Sequence, residues 1–398
     1  MDHLKLCKGA PGDISAAVRF AAVPVADAQP DVRSVLRLRH VHRAAAELRR
    51  GTPVILECGE PLVLLAAETA GARGLAELTA LAGGAAVLML APVRAAAVLR
   101  RPVRPGTGVI TLQISAALFD AAALRSLADP TLEQMLPEEP ALAAWTPAAA
   151  GAALALAKLG HLLPAVLAAP MPPSGHAAAA AAERCILSVD ADDVLSYPMA
   201  MAAGVVRVAE ASVPLDGAPD ARVVAFRAPD AGIEHLAILI GRPENDAAPM
   251  TRLHSECFTG DLLGSLRCDC GPQLRGAIQR MQAASGGVLL YLAQEGRGIG
   301  LVNKLRAYAL QDRGMDTVDA NRALGWDADE RNFMVAATML QSLGISEIRL
   351  LTNNPDKVEA MQACGIRVAG REQHAFAPNG VNDGYLATKA ARFGHLLG

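Results

Sequence analysis

Residues 288–314 read VLLYLAQEGRGIGLVNKLRAYALQDRG. The run Val288–Leu292 is short, apolar and rich in branched side chains, as a buried strand requires. Gly296, Gly298 and Gly300 crowd the corner that follows, and the spacing then predicts a helix over 300–313 that stops at Gly314. A strand, a glycine corner and a helix make one step of an α/β core.

The same alternation extends in both directions. Upstream, a helix is expected over 272–284, with Pro272 in its first turn and Gly286 beyond its end. Before it come apolar strands at 205–213, 222–228, 233–240 and 250–256. Downstream, helices are expected over 329–343 and 355–363, and strands over 347–351 and 366–369. Ahead of residue 204 the chain is blander. Strands are expected at 53–56, 62–66, 85–90 and 109–114, and helices at 45–50, 76–81, 118–127 and 148–159. Residues 170–175 read as a loop, and the alanine run at 177–182 as the start of a helix. No fixed-period repeat is present. The expected fold is α/β (α+β) with two domains, each a mixed sheet with packed helices. An extension over 1–34 would precede a domain over 35–203 and another over 204–398.

Composition narrows the function. At ~150 residues per domain, 398 residues make two domains with cores of their own. The net charge is −3, which argues against general binding to nucleic acid or to an anionic membrane. Hydrophobic residues make up 52% of the chain, too many for a disordered one. The most membrane-like stretch, 141–171, is interrupted by Pro147, Lys158, His161 and Pro164. It is expected to form two packed helices rather than a span. The opening residues MDHLKLCKGAPGD lack the apolar core of a signal peptide, so the expected location is the cytoplasm.

Seven cysteines make no disulfide framework in a chain of this length. Cys7, Cys58, Cys185 and Cys364 stand singly and read as small core residues or incidental thiols. Cys257, Cys268 and Cys270 fall within fourteen residues, the last two as C-x-C before a glycine. Such a turn can aim two sulfurs at one point, and thiolates bind Zn²⁺ strongly. Three thiolates would leave the fourth position open to water, as in catalytic sites. A closed structural site completed by His254, or three buried thiols without metal, remain as alternatives. An open zinc site would make hydroxide available near neutral pH, which points to hydrolysis.

Polar residues surround this cluster. On a strand Arg252, His254 and Glu256 share a face, as they would on any exposed strand. Glu295 and Arg297 flank the glycine corner, where backbone can approach an anion. They suit a guanine edge and an anion, respectively. Lys304 and Tyr308 share a helix face, which is equally what a solvated face looks like. Asp327 and Asp329 suit the first turn of a helix, whereas Arg331 opposes its dipole and makes sense beside an anionic ligand. Thr352 and Lys357, around Asn353-Asn354-Pro355, are candidates for phosphate contacts at a strand's carboxyl end.

Taken together, RLHSECFTGDLLGSLRCDCGPQL, LLYLAQEGRGIGLVNKLRAYALQDRGMDTVDAN, LGWDADERNF and RLLTNNPDKVEAM resemble the GTP cyclohydrolase II family over about residues 204–398. The resemblance implies hydrolysis of GTP to 2,5-diamino-6-ribosylamino-4(3H)-pyrimidinone 5′-phosphate, formate and pyrophosphate, the first committed step of riboflavin synthesis. It implies Zn²⁺ held by Cys257, Cys268 and Cys270, Mg²⁺ on the phosphates, and a homodimer. Arg252, Leu253, His254, Ser255 and Glu256 would line the GTP site with Gln273, Glu295, Gly296, Arg297, Thr317, Thr352 and Lys357. By the same resemblance Asp329 is a proton acceptor, Arg331 a nucleophile, and Tyr308 lies near the reacting ring. An arginine with a pKa above ~12 is a poor nucleophile, so charge stabilisation is the simpler role for Arg331.

Residues from about 35 to 200 resemble 3,4-dihydroxy-2-butanone 4-phosphate synthase. Its acidic motif is here ILECGEPLVLLAAE, with only Glu57 and Glu60 early in it, and its Gly-His-Thr is Ala144-Trp145-Thr146. A synthase without those groups cannot hold Mg²⁺, so the expectation is a degenerate, silent domain. A working bifunctional enzyme and a GTP-sensing module with structural zinc are the alternative readings.

Overall fold

The computed structural model describes residues 32–394 apart from 104–107, 135, 173–178, 180–181 and 229–231. Almost all of the expected extension over 1–34, Cys7, the end of the 170–175 loop and most of the alanine run lie outside the described residues. The first sheet is built from β1 (Val54–Glu57), β2 (Leu62–Ala66), β3 (Val87–Leu90), β4 (Ile110–Gln113), β5 (Ala141–Leu142), β6 (Ala165–Pro170) and β7 (Ser188–Asp190). Their order is β5-β4-β3-β6-β2-β1-β7, antiparallel except for the parallel pair β1 and β7. Helices α1 (Val32–Arg49), α2 (Ala72–Leu81), α3 (Pro92–Leu99), α4 (Ala121–Ala128), α5 (Ala150–Leu159) and α6 (Ala191–Ala203) accompany it. All five residues of β2 are buried. Leu62, Leu64 and Ala66 join a core with α1, α5 and α6, while Val63 and Leu65 face α2 and α4. A strand covered on both faces must be apolar throughout, which is why it reads as an unbroken run.

The stretch 141–171 departs from the expected pair of helices. Only α5 is helical, and Ala165–Pro170 is β6, paired to both β2 and β3. Pro164 ends the helical potential before it, and burial on both sides lets alanines serve in a central strand. Among the described residues no helix is long and apolar enough to cross a membrane.

The second sheet comprises β8 (Val206–Ser212), β9 (Arg222–Arg227), β10 (Glu234–Gly241), β11 (Met250–Ser255), β12 (Gly286–Leu292), β13 (Glu347–Leu351) and β14 (Arg367–Glu372), in the order β14-β13-β11-β12-β10-β9-β8. The four strands from β14 to β12 in that order run parallel, and β10, β9 and β8 continue antiparallel. Both sheets are therefore mixed, as the α/β expectation had it. Helices α7 (Cys270–Ala283), α8 (Leu301–Gln311), α9 (Thr317–Ala323), α10 (Met334–Ser342), α11 (Pro355–Ala363) and α12 (Asp383–Phe393) belong to this half. From β11 the chain moves through α7 to β12 on one side, then passes back to β13 on the other. That reversal opens a crevice at the carboxyl ends of these strands, where ligands of open α/β sheets bind.

The helix expected from Asp329 begins only at Met334. Side chains capture the backbone ahead of it: Asp327 N–H donates to Glu330, Arg331 N–H to Asp329 and Met334 N–H to Asn332. Such local bonds compete with helical ones and hold 327–333 as a loop.

The two halves share a core. Ile299, Ala307, Leu310, Leu324 and Trp326 of the second pack into the cluster that holds Leu163, Leu90 and Val98 of the first. Polar bonds fix the register. Asn303 donates to the His161 carbonyl at 2.8 Å, and Arg306 reaches Asp129 at 2.8 Å and Glu68 at 2.9 Å.

Candidate active site and cysteine cluster

The sulfur cluster sits where β11 ends. Cys257 follows the strand, the chain makes a short turn over Phe258–Leu262, and Cys268 and Cys270 bring it back into the first turn of α7. The three sulfurs all lie within 4.8 Å of one another, and the Cys257–Cys268 separation is 3.8 Å. Sulfurs at ~2.3 Å around a tetrahedral ion stand about 3.8 Å apart, so this spacing fits such an ion. Gly260 lies against the cluster: a Cβ there would stand 2.6 Å from Cys268 Sγ and 3.0 Å from Cys257 Sγ. Its N–H points at Cys257 Sγ, 3.3 Å away. Hydrogen bonds from Cys268 and Cys270, together with Lys304 Nζ at 3.0 Å, push the Cys257 thiol far down towards thiolate despite burial.

His254 stands outside this trio. Its Nε2 faces both oxygens of Asp261 at 3.1 Å. Asp261 also accepts from Tyr291 O–H and from the Cys257 N–H, each at 3.0 Å. This buried carboxylate therefore ties strand, ring and cysteine loop together. Nothing in the local pattern FTGD marks it, because its ring partners His254 and Tyr291 lie outside that pattern, on β11 and β12.

Around the sulfurs lies a cleft open to solvent. Of the residues singled out in the sequence, Arg252 to Glu256, Cys257, Cys268, Cys270, Gln273, Glu295, Gly296, Arg297, Tyr308, Thr317, Arg331, Thr352 and Lys357 line it. Asp329 does not line it but holds Arg331, accepting Nε at 2.8 Å and a second guanidinium N–H on its other oxygen. The Arg331 guanidinium keeps the Asp329 carboxyl below its usual range despite burial.

The strand supplies more than an exposed face. Arg252 is buried, donates to the Leu351 carbonyl at 3.0 Å and pairs with Gln273; burial brings its pKa down to about 10. The Leu253 side chain enters the core, while its carbonyl accepts Lys357 Nζ at 2.9 Å. Arg252 Nε, His254 Nδ1 and Ser255 Oγ are buried without a protein partner. An unmet buried polar atom costs ~1–3 kcal/mol, so the cleft favours a polar ligand that bonds them.

At the glycine corner Gly296 and Arg297 both take left-handed φ, 64° and 63°. Glu295 stabilises this turn: Oε1 accepts Gly296 N–H and Lys304 Nζ, each at 2.8 Å, and Oε2 accepts Phe258 N–H at 2.6 Å. Lys304 is thus a site residue rather than part of a solvated face. Burial opposes its charge, but Cys257 and Glu295 more than offset that and raise its pKa. Burial raises the Tyr308 pKa to about 12, so its hydroxyl stays protonated. Asn354 caps α11 by accepting Asp356 N–H at 2.9 Å, leaving Thr352 and Lys357 on the wall of the cleft. Gln311, Asn321 and Asn353 also line it; the short helix that brings Asn321 carries only an Asp316 cap as its sequence signal.

Fold and cleft define an α/β enzyme with a cysteine site able to hold a metal. The GTP cyclohydrolase II family model matches residues 206–373. A GTP cyclohydrolase-2 of Azospirillum brasilense is 48% identical over 366 residues, covering 90% of this chain and 94% of its own. One from Actinobacillus succinogenes is 50% identical over 191 residues, covering 48% of this chain and 88% of its own. The chain belongs to the GTP cyclohydrolase II family. Among solved structures, a two-domain 3,4-dihydroxy-2-butanone 4-phosphate synthase from A. baumannii covers 84% of this chain and 98% of its own at 18% identity and a TM-score of 0.33. A synthase of Candida albicans covers 40% and 96% at 20% identity and a TM-score of 0.31.

Proposed function

We propose that the chain converts GTP to 2,5-diamino-6-ribosylamino-4(3H)-pyrimidinone 5′-phosphate, formate and pyrophosphate, for riboflavin synthesis. The observation that carries this reading is the position of the three sulfurs, on the wall of the same cleft as Arg331, Arg297 and Lys357. Cys257, Cys268 and Cys270 would hold zinc, which would supply water activation near neutral pH, and Mg²⁺ would offset charge on the triphosphate.

The chain's own groups do the rest. The buried donors and acceptors of Arg252, His254 and Ser255, with Gln273, take the polar edge of the base. Glu295 keeps the glycine corner open beside it. Arg297, Thr317, Thr352 and Lys357 take the phosphates. The protonated Tyr308 hydroxyl donates towards the ring as C8 leaves as formate. Arg331, its fork set by Asp329, stabilises charge on the α-phosphorus as water adds there and pyrophosphate departs. In this reading Arg331 is not a nucleophile.

Residues 35–203 form a silent domain in the same reading. Trp145 lines a small hollow with Cys58, Glu60, Leu62 and Pro147, where one carboxylate among apolar walls offers too few oxygen ligands for Mg²⁺. Identifying the products formed from GTP, before and after zinc chelation, tests the proposal. Formate, pyrophosphate and the pyrimidinone should form, cease with chelation and return with zinc. Undiminished turnover by the metal-stripped protein would overturn it.

A further inference from the structure

The loop that carries Asp329 and Arg331 is held from outside its own half. Lys158, in the last turn of α5, places Nζ 2.6 Å from Glu330 Oε1 and 3.3 Å from Asp327 Oδ2. The lysine and Glu330 side chains are only 23% and 20% exposed, so this pair is weakly screened by solvent. The same Glu330 oxygen accepts Asp327 N–H at 2.9 Å. The Glu330 backbone N–H donates to the Arg297 carbonyl at 3.0 Å. Gly298 packs so closely on Glu330 that an added Cβ would meet its carbonyl oxygen at 2.9 Å. Trp326, at the start of the loop, presents its ring to Lys158 Nζ at 5.5 Å. One cation from the first half therefore fixes the residue between Asp329 and Arg331 and, through it, the turn that carries Arg297.

We propose that Lys158 is a positioning residue for the cyclohydrolase site, and that the first half serves catalysis through it. Lys158 does not line the cleft; it acts through Glu330. Its ammonium holds the Glu330 carboxylate over the Asp327 N–H, which sets the loop's curvature and the direction of the Arg331 fork. The inference rests on the role given to Arg331 above.

The test compares the full chain with Lys158→Met, Lys158→Arg and the charge swap Lys158→Glu with Glu330→Lys. Formate release gives kcat and KM for GTP, and thermal unfolding reports folding. Lys158→Met should lose roughly 10- to 100-fold in kcat with KM changed far less, because the fork is misplaced rather than removed. Lys158→Arg, and in part the swap, should restore kcat. Unchanged kcat in Lys158→Met overturns the inference. So does a loss that tracks only the folded fraction, or one that Lys158→Arg fails to restore. Turnover by the unaltered chain separates the two ideas. Its absence refutes the catalytic reading and this one with it, whereas normal turnover by both the chain and Lys158→Met refutes positioning alone.

Discussion

Lys304 Nζ lies 3.0 Å from Cys257 Sγ, with the Glu295 carboxylate on its other side at 2.8 Å. The lysine neutralises part of the negative charge that three thiolates would gather, and it anchors the first of them to the glycine corner. Lys304→Met should therefore weaken metal retention, roughly 10-fold by analogy with other groups that orient ligands. Competition against a graded series of chelators measures it. Retention equal to that of the unaltered chain would refute the anchoring role.

Gly260→Ala should injure the cluster without touching a sulfur. The new methyl would stand 2.6 Å from Cys268 Sγ, closer than a real contact permits. The sulfurs must spread beyond tetrahedral spacing, so bound zinc should fall well below one per chain while the far-ultraviolet dichroism is preserved. Full zinc occupancy in the variant would contradict the packing argument.

Arg331→Lys keeps a cation but loses the two-pronged bond with Asp329. If the guanidinium stabilises charge at the α-phosphorus, pyrophosphate release should slow by about 10²-fold. Separate assays of pyrophosphate and formate check this. Pyrophosphate release near the unaltered rate would remove the specific role of the fork.

Acid should destabilise the fold early. His235 Nδ1 accepts the Ala293 N–H at 3.1 Å, and burial brings its pKa down to about 4. His374, whose Nε2 bonds the Gln273 carbonyl at 2.8 Å, is likewise brought down to about 4, chiefly by burial. The unfolded chain takes up these protons first, near pH ~6.5. Stability is complete above that value and declines as pH falls towards 4, by up to ~1.4 kcal/mol per pH unit for each ring. Urea titrations at several pH values should show this slope. His235→Asn, which keeps an acceptor but cannot titrate, should flatten it by one ring's share; an unchanged slope would count against the burial argument.

Much of the second half is legible because glycine and proline punctuate it. Gly314, Gly344 and Pro355 bound α8, α10 and α11 within a few residues of their observed limits. The first half hides more. Ala165–Pro170 looks helical because its alanines carry no strand signature, and only burial on both faces makes it β6. The 327–333 loop misleads for the opposite reason: its acids suit a helix start, but they bond the backbone locally and delay it. Within the site, residues clustered in short motifs declare themselves. Lys304 and Asp261 do not, because the lysine's bond to Cys257 and the aspartate's bond to Tyr291 join residues that only the folded chain brings near.

Arg306 extends from α8 to Asp129 and Glu68, both supplied by the other sheet's half, and its side chain is 18% exposed. Severing the chain between the sheets would strand that guanidinium without its counter-ions on a helix whose Ala307 and Leu310 had become solvent-facing. An isolated second half would then need a rewritten α8 surface to remain in solution, and shortening this protein is a redesign rather than a trim.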